Sequence, residues 1–136
     1  MRTDTGQAFK LEDYRPNDYL IPQTNLTFRL SPDATHVTAL LTVERRDGVS
    51  ASAPLVLDGD GLTLKRIEID GRKAKPADFL VTPDQLTILE PPAARRFQLL
   101  IETELAPVGN EALMGLYRSS NVYCTQCEAE GFRRIT

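Results

Sequence analysis

The chain has 136 residues, 41% hydrophobic and 26% charged, with 19 acidic against 16 basic residues and a formal net charge of -3. That length bounds it to one domain with a modest core, and the acidic balance argues against a nucleic-acid binder, which would carry a basic face. The longest apolar runs, such as Ala39-Leu40-Leu41 and Leu99-Leu100-Ile101, fall far short of the roughly 20 residues of a spanning helix. Met1 to Lys10 hold no apolar h-region, so no secretory signal and no membrane partner are expected. The expected compartment is the cytoplasm, where the two cysteines are reduced thiols rather than a structural disulfide.

In chain order, the first 17 residues are polar and are expected to run extended along the surface. Pro16 and Pro22 forbid a helix there and flank the entry to the first strand. Leu26, Phe28 and Leu30 alternate with Thr27 and Arg29, the period of a half-buried strand. Val37, Ala39, Leu41 and Val43 then alternate with Thr38, Leu40 and Thr42. Leu55 and Leu57 predict a short strand ended by Asp58-Gly59. Leu62 and Leu64 give way to Ile67 and Ile69, and the broken alternation predicts a bulge near Lys65-Arg66 that restores the apolar face. Asp70-Gly71 predicts a tight hairpin turn. Further strands are expected over 79–82, 86–89 and 97–104, with Thr82-Pro83-Asp84-Gln85 as a turn between the first two. Pro91-Pro92 ends the second of these strands. The best helix candidate is Ala129 to Ile135, weakened by Gly131. The fold class expected is all-β, an antiparallel sandwich or an open twisted sheet.

Residues 123–136 form the densest polar and ionisable stretch. Cys124 and Cys127 make a Cys-x-x-Cys, which serves as a zinc half-site, as a redox pair, or as two packing thiols. A structural zinc needs four ligands, and the chain offers two cysteines and a single histidine, His36; a zinc shared between two copies is the remaining metal reading. A redox pair is expected beside a βαβ unit, which is absent from the pattern. His36, read as preceding a strand, is expected at the surface or a strand edge. One histidine supplies neither a catalytic triad with its partners nor a His-Glu-x-x-His zinc motif. Glu128 and Glu130 would share a face on a strand and part on a helix. Read by themselves, they form a solvated acidic turn capped by Arg133 and Arg134.

Four segments carry a resemblance: Tyr14-Arg15-Pro16-Asn17-Asp18-Tyr19-Leu20-Ile21-Pro22, Leu55-Val56-Leu57-Asp58-Gly59, Asn110 to Ser119, and Thr125-Gln126-Cys127-Glu128-Ala129-Glu130-Gly131-Phe132-Arg133-Arg134-Ile135-Thr136. In this order they resemble the start of the bacterial aminopeptidase N group of the M1 zinc metallopeptidase family. The resemblance implies that residues 1–136 are an N-terminal, saddle-like β domain, truncated and lacking the catalytic zinc domain. It implies zinc in the full-length parent and none in this stretch. Gln126 and Glu128 match the pair with which the family's N-terminal domain lines the substrate pocket: the glutamate contacts the substrate's free α-amino group and the glutamine borders the first side-chain pocket. The implied partners are a peptide N-terminus and the missing catalytic domain, with self-association of the truncated piece through exposed edges. Glu130, Arg133 and Arg134 are read as positioning or interdomain residues, and the cysteines receive no metal role. A stand-alone β-sandwich interaction module without activity is the competing reading. The two part at the residues following Thr136, where the family implies a His-Glu-x-x-His.

Overall fold

The computed structural model describes residues 10–128 and 131–136. Ten strands follow one another: β1 (Tyr19–Arg29), β2 (Thr35–Arg45), β3 (Leu55–Asp58), β4 (Thr63–Ile69), β5 (Arg72–Lys73), β6 (Phe79–Val81), β7 (Gln85–Ile88), β8 (Arg96–Leu105), β9 (Gly115–Ser119) and β10 (Val122–Gln126). Among the described residues there are four short 3-10 turns, two of them between strands, and no α-helix. The all-β antiparallel class read from the alternation is therefore borne out. A five-stranded sheet of order β1-β2-β8-β4-β5 faces a three-stranded sheet of order β3-β7-β6, and β9 and β10 form a separate hairpin.

The organising pair is β2 and β8. Their register sets Thr35 opposite Leu105, Val37 opposite Thr103, Ala39 opposite Ile101, Leu41 opposite Leu99 and Val43 opposite Phe97. These alternate residues all point inward and are all buried, because successive side chains on a strand leave by opposite faces. The upper part of this apolar face packs against Leu55 of β3 and Ile88 of β7, with Tyr19 and Ile67 closing the sides. The Tyr19 and Phe97 rings meet edge to face with centroids 6.3 Å apart, the arrangement that ring quadrupoles favour. The lower part, Val37 and Leu105, packs against Leu116 and Ile135. One sheet face thus supplies two adjoining cores.

The bulge expected at Lys65-Arg66 is present as a register shift between Leu64 and Arg66. It returns Ile67 to the core and sets two cations on the outer face. There Lys65 Nζ lies 3.0 Å from Glu104 Oε1, and Arg66 pairs with Glu68 and Glu102. Asp70-Gly71 forms the two-residue turn between β4 and β5, both residues having positive φ.

Two expectations need correction. Pro22 does not flank the first strand but lies inside it, since β1 begins at Tyr19. Pairing with β2 is interrupted between Leu20 and Gln23. β1 is an edge strand, where a residue without an N–H is tolerated. The helix candidate at the end of the chain is a short 3-10 turn, Gly131–Arg134, while residues 129 and 130 lie outside the described residues. Of the N-terminal stretch, Leu11–Asp13 forms a single 3-10 turn and its neighbours are extended.

Leu99, fully buried at the centre of the sheet, tests this packing. Leu99→Ala should lower the unfolding free energy by about 2–5 kcal/mol, read from urea denaturation. Gln98→Ala, on the outer face of the same strand, should shift it by no more than about 0.5 kcal/mol.

Candidate functional site

The site residues expected from the sequence stand where β10 leaves its hairpin. β9 and β10 pair from Ser119–Val122 to Gly115–Gln126. Ser120 and Asn121 both adopt positive φ, a two-residue turn matching the twist of the flanking strands. Arg118 donates to Asn121 Oδ1 at 3.1 Å, and its guanidinium lies 5.5 Å from the centre of the Tyr123 ring. Leu116 and Tyr123 pack on the lower core. Cys124 and Gln126, on alternate positions from Tyr123, leave by the opposite face. Asn110 ties the start of β9 down by donating to the carbonyls of Met114 and Leu116 at 2.7 and 2.9 Å.

This hairpin escaped the sequence reading. Only Leu116 and Tyr123 mark its buried face, too few for a period to register. The available signal was Ser120-Asn121, since asparagine tolerates left-handed backbone.

Beyond β10 the chain turns sharply. The Glu128 backbone N–H donates to Gln126 Oε1 at 3.0 Å, so the two expected site residues are joined directly, with both exposed. The glutamine side chain closes a local turn that sets the backbone from which the Glu128 carboxylate projects. Glu130 lies outside the described residues.

The following turn is pressed against this one through two glycines. A Cβ on Gly131 would overlap the Gln126 carbonyl oxygen. Gly115, paired with Gln126, has φ +73°, and a Cβ there would collide with the Arg134 side chain and with the Gly131 carbonyl. Ile135, 4% exposed, then plugs the lower core. Among the described residues Arg134 pairs with the β3–β4 loop. Its Nη2 lies 2.6 Å from Asp60 Oδ2, with both side chains largely buried. Arg133 Nη2 lies 3.8 Å from the same oxygen, and the Asp60 N–H donates to the Arg133 carbonyl at 2.8 Å. Asp60 belongs to the loop between β3 and β4 and was not singled out from the sequence.

Cys124 is half-buried, Cys127 is exposed, and both are free thiols. Among the described residues no group of three or more His, Cys, Asp or Glu side chains is arranged to hold a metal. The residues described here therefore do not fit a four-coordinate zinc. His36 is the second residue of β2 rather than a residue before it, with Nε2 3.3 Å from Glu104 Oε2 on the outer sheet face. An apolar cleft of about 240 Å³ opens between the two main sheets, with Phe132 and Thr136 among its lining, and neither Gln126 nor Glu128 borders it. No helix among the described residues is long and apolar enough to cross a membrane.

No family model matches the chain. Aminopeptidase N of Caulobacter vibrioides is 51% identical over 136 residues, covering all of this chain and 15% of that protein. By sequence, the chain is similar along its whole length to bacterial aminopeptidases N. Aminopeptidase N of Escherichia coli is 40% identical over 98% of this chain and 15% of its own length. The chain thus spans a small part of the relatives it matches, and the resemblance carried by the four segments is borne out. In structure, Legionella pneumophila aminopeptidase A, solved in complex with aspartic acid, superposes with a TM-score of 0.82 at 32% identity, over 93% of this chain and 15% of that one. An M1 zinc metallopeptidase from Deinococcus radiodurans shares the fold, with a TM-score of 0.65 at 17% identity, over 87% of this chain and 28% of that one.

The glycine contacts are testable in this chain. Gly115→Ala combines left-handed backbone with a steric collision, whereas Gly48→Ala at φ +81° meets nothing within 4 Å. Thermal unfolding should show a loss for Gly115→Ala at least about 1–2 kcal/mol larger than for Gly48→Ala.

Proposed function

We propose that residues 1–136 form the N-terminal β domain of a longer zinc aminopeptidase that removes N-terminal residues from peptides. In this reading the chain supplies substrate recognition and the catalytic zinc domain lies outside it. The observation that carries the proposal is the 51% identity to Caulobacter aminopeptidase N along the whole chain. The Legionella relative, solved with aspartic acid, supports a site able to receive an amino acid. Zinc, the metal in the name of the M1 metallopeptidases, is proposed for the whole protein and assigned to no residue described here. The 136-residue chain is accordingly proposed to have no peptidase activity alone. The cytoplasm is the proposed compartment, supported by two thiols that stand unlinked.

Within this reading Glu128 receives the substrate's free α-amino group and Gln126 borders the first side-chain pocket. An aminopeptidase must distinguish a chain terminus from an internal amide. A free α-amino group titrates near about 7.7–8.0, so a carboxylate selects its ammonium form and finds no counterpart in a peptide N–H. The bond from the Glu128 N–H to Gln126 Oε1 supports the pairing of the two roles: one side chain orders the backbone that presents the other.

In the full-length enzyme, Glu128→Ala should raise KM for aminoacyl substrates and lower kcat/KM by about 30-fold or more, the effect of removing one partner of a desolvated charge pair. Steady-state kinetics close to those of the parent would remove Glu128 from this role. The isolated chain is proposed to self-associate, supported by the exposed Val56, Leu80 and Val81 on its three-stranded sheet, whose outer strands β3 and β6 are edges. Light scattering should report a mass that grows with concentration; a monomer throughout would count against it.

A further inference from the structure

We infer that Asp60 is a positioning residue for the α-amine site, holding Gln126 and Glu128 in place from outside it; the inference rests on the role proposed above for Glu128. Asp60 lies far from both in sequence and reaches them through packed contacts. Its carboxylate holds Arg134 at 2.6 Å and Arg133 at 3.8 Å, and its N–H holds the Arg133 carbonyl at 2.8 Å. The 3-10 turn Gly131–Arg134 is therefore bound to the β3–β4 loop by both side chain and main chain.

That turn in turn determines where β10 ends. The Arg134 side chain lies against Gly115 so closely that a Cβ there has no room. Gly115 is the register partner of Gln126, and Gly131 rests directly on the Gln126 carbonyl. Gln126 then sets the Glu128 backbone through its side-chain oxygen. The links from the turn to Gln126 are close packing contacts and those at either end are polar, so a shift of the turn is transmitted rather than absorbed. The Asp60 and Arg134 side chains are 25% and 17% exposed. Such a pair is screened less than a surface pair, and loss of either partner leaves the other charge poorly solvated.

The dependence on charge is what distinguishes this from generic packing. Asp60→Asn keeps the shape and the backbone N–H but removes the charge that gathers the two arginines. The test uses the full-length enzyme with an aminoacyl substrate. Asp60→Asn should lower kcat/KM by about tenfold, mostly through KM, because small displacements of a binding group are costly. Asp60→Glu should recover most of that loss. Arg134→Gln should reproduce the Asn phenotype and guards against a folding artefact peculiar to position 60. In a double-mutant cycle, Asp60→Asn should add little to Glu128→Ala, since residues acting through one contact are not additive.

A lowered Tm with unchanged KM in Asp60→Asn would reduce Asp60 to a stabilising residue and overturn the inference. So would full additivity with Glu128→Ala. A defective Glu128→Ala beside a normal Asp60→Asn would overturn this inference alone. A normal Glu128→Ala would overturn the α-amine reading and this inference with it.

Discussion

Everything in this fold depends on the inward rows of β2 and β8 lying opposite one another. Because side chains alternate strictly, a slip of one residue would turn Ala39, Leu41 and Val43 to solvent and bring Thr38, Leu40 and Thr42 inside. The register is protected by more than hydrophobicity. Thr35, fully buried at the start of β2, both donates to the Ser31 carbonyl and accepts from its N–H at 2.7 and 3.0 Å. A buried hydroxyl is tolerated when its bonds are made, and here those bonds fasten the loop that precedes the strand. The bulge at Lys65 serves the same end on the other side of β8, by allowing β4 to keep its apolar residues inward across a break in the alternation.

Two cores on one sheet have a functional corollary. The upper core joins the sheets and has no direct part in the candidate site. The lower core is small, built from Val37, Leu105, Leu116 and Ile135 with Leu62 and Tyr123 against it. It holds the β9–β10 hairpin and the terminal turn to the sheet. An isolated hairpin is at best marginally stable in water, so the location of Gln126 depends on this docking. The Asp60 ion pair and the two glycine contacts lie beside it. Hydrophobic burial attaches the hairpin, while charge and close main-chain approach define its final position.

Much of this was legible in the sequence. The alternations around Val37–Val43 and 97–104, the bulge and the Asp70-Gly71 turn are local consequences of strand period and backbone preference, and all appear where local rules put them. β1 was legible only in its second half, because a proline inside an edge strand reads as a boundary. The terminal segment was legible as chemistry but not as structure. Gln126 and Glu128 stood out through resemblance, whereas the hairpin that carries them has too few apolar residues to declare a period. Arg133 and Arg134 were legible as caps of the acidic turn beside them and, through the resemblance, as positioning or interdomain residues. Their link to Asp60 arises only when the β3–β4 loop is folded against the terminal turn, and no local pattern encodes that meeting.

The contact of Gly115 with Gly131 separates architecture from recognition in this segment. The path of the backbone as far as Gln126 is shaped by two residues that present no side chain, while Gln126, Cys127 and Glu128 face outward and are exposed. Exposed positions generally accept substitution at little cost in stability. The chemistry displayed at Cys127 and Glu128 can therefore vary while the scaffold that ends in Gln126 stays constant. Change at either glycine would be paid first in folding, so lineages sharing this backbone could diverge in preference without rebuilding the platform.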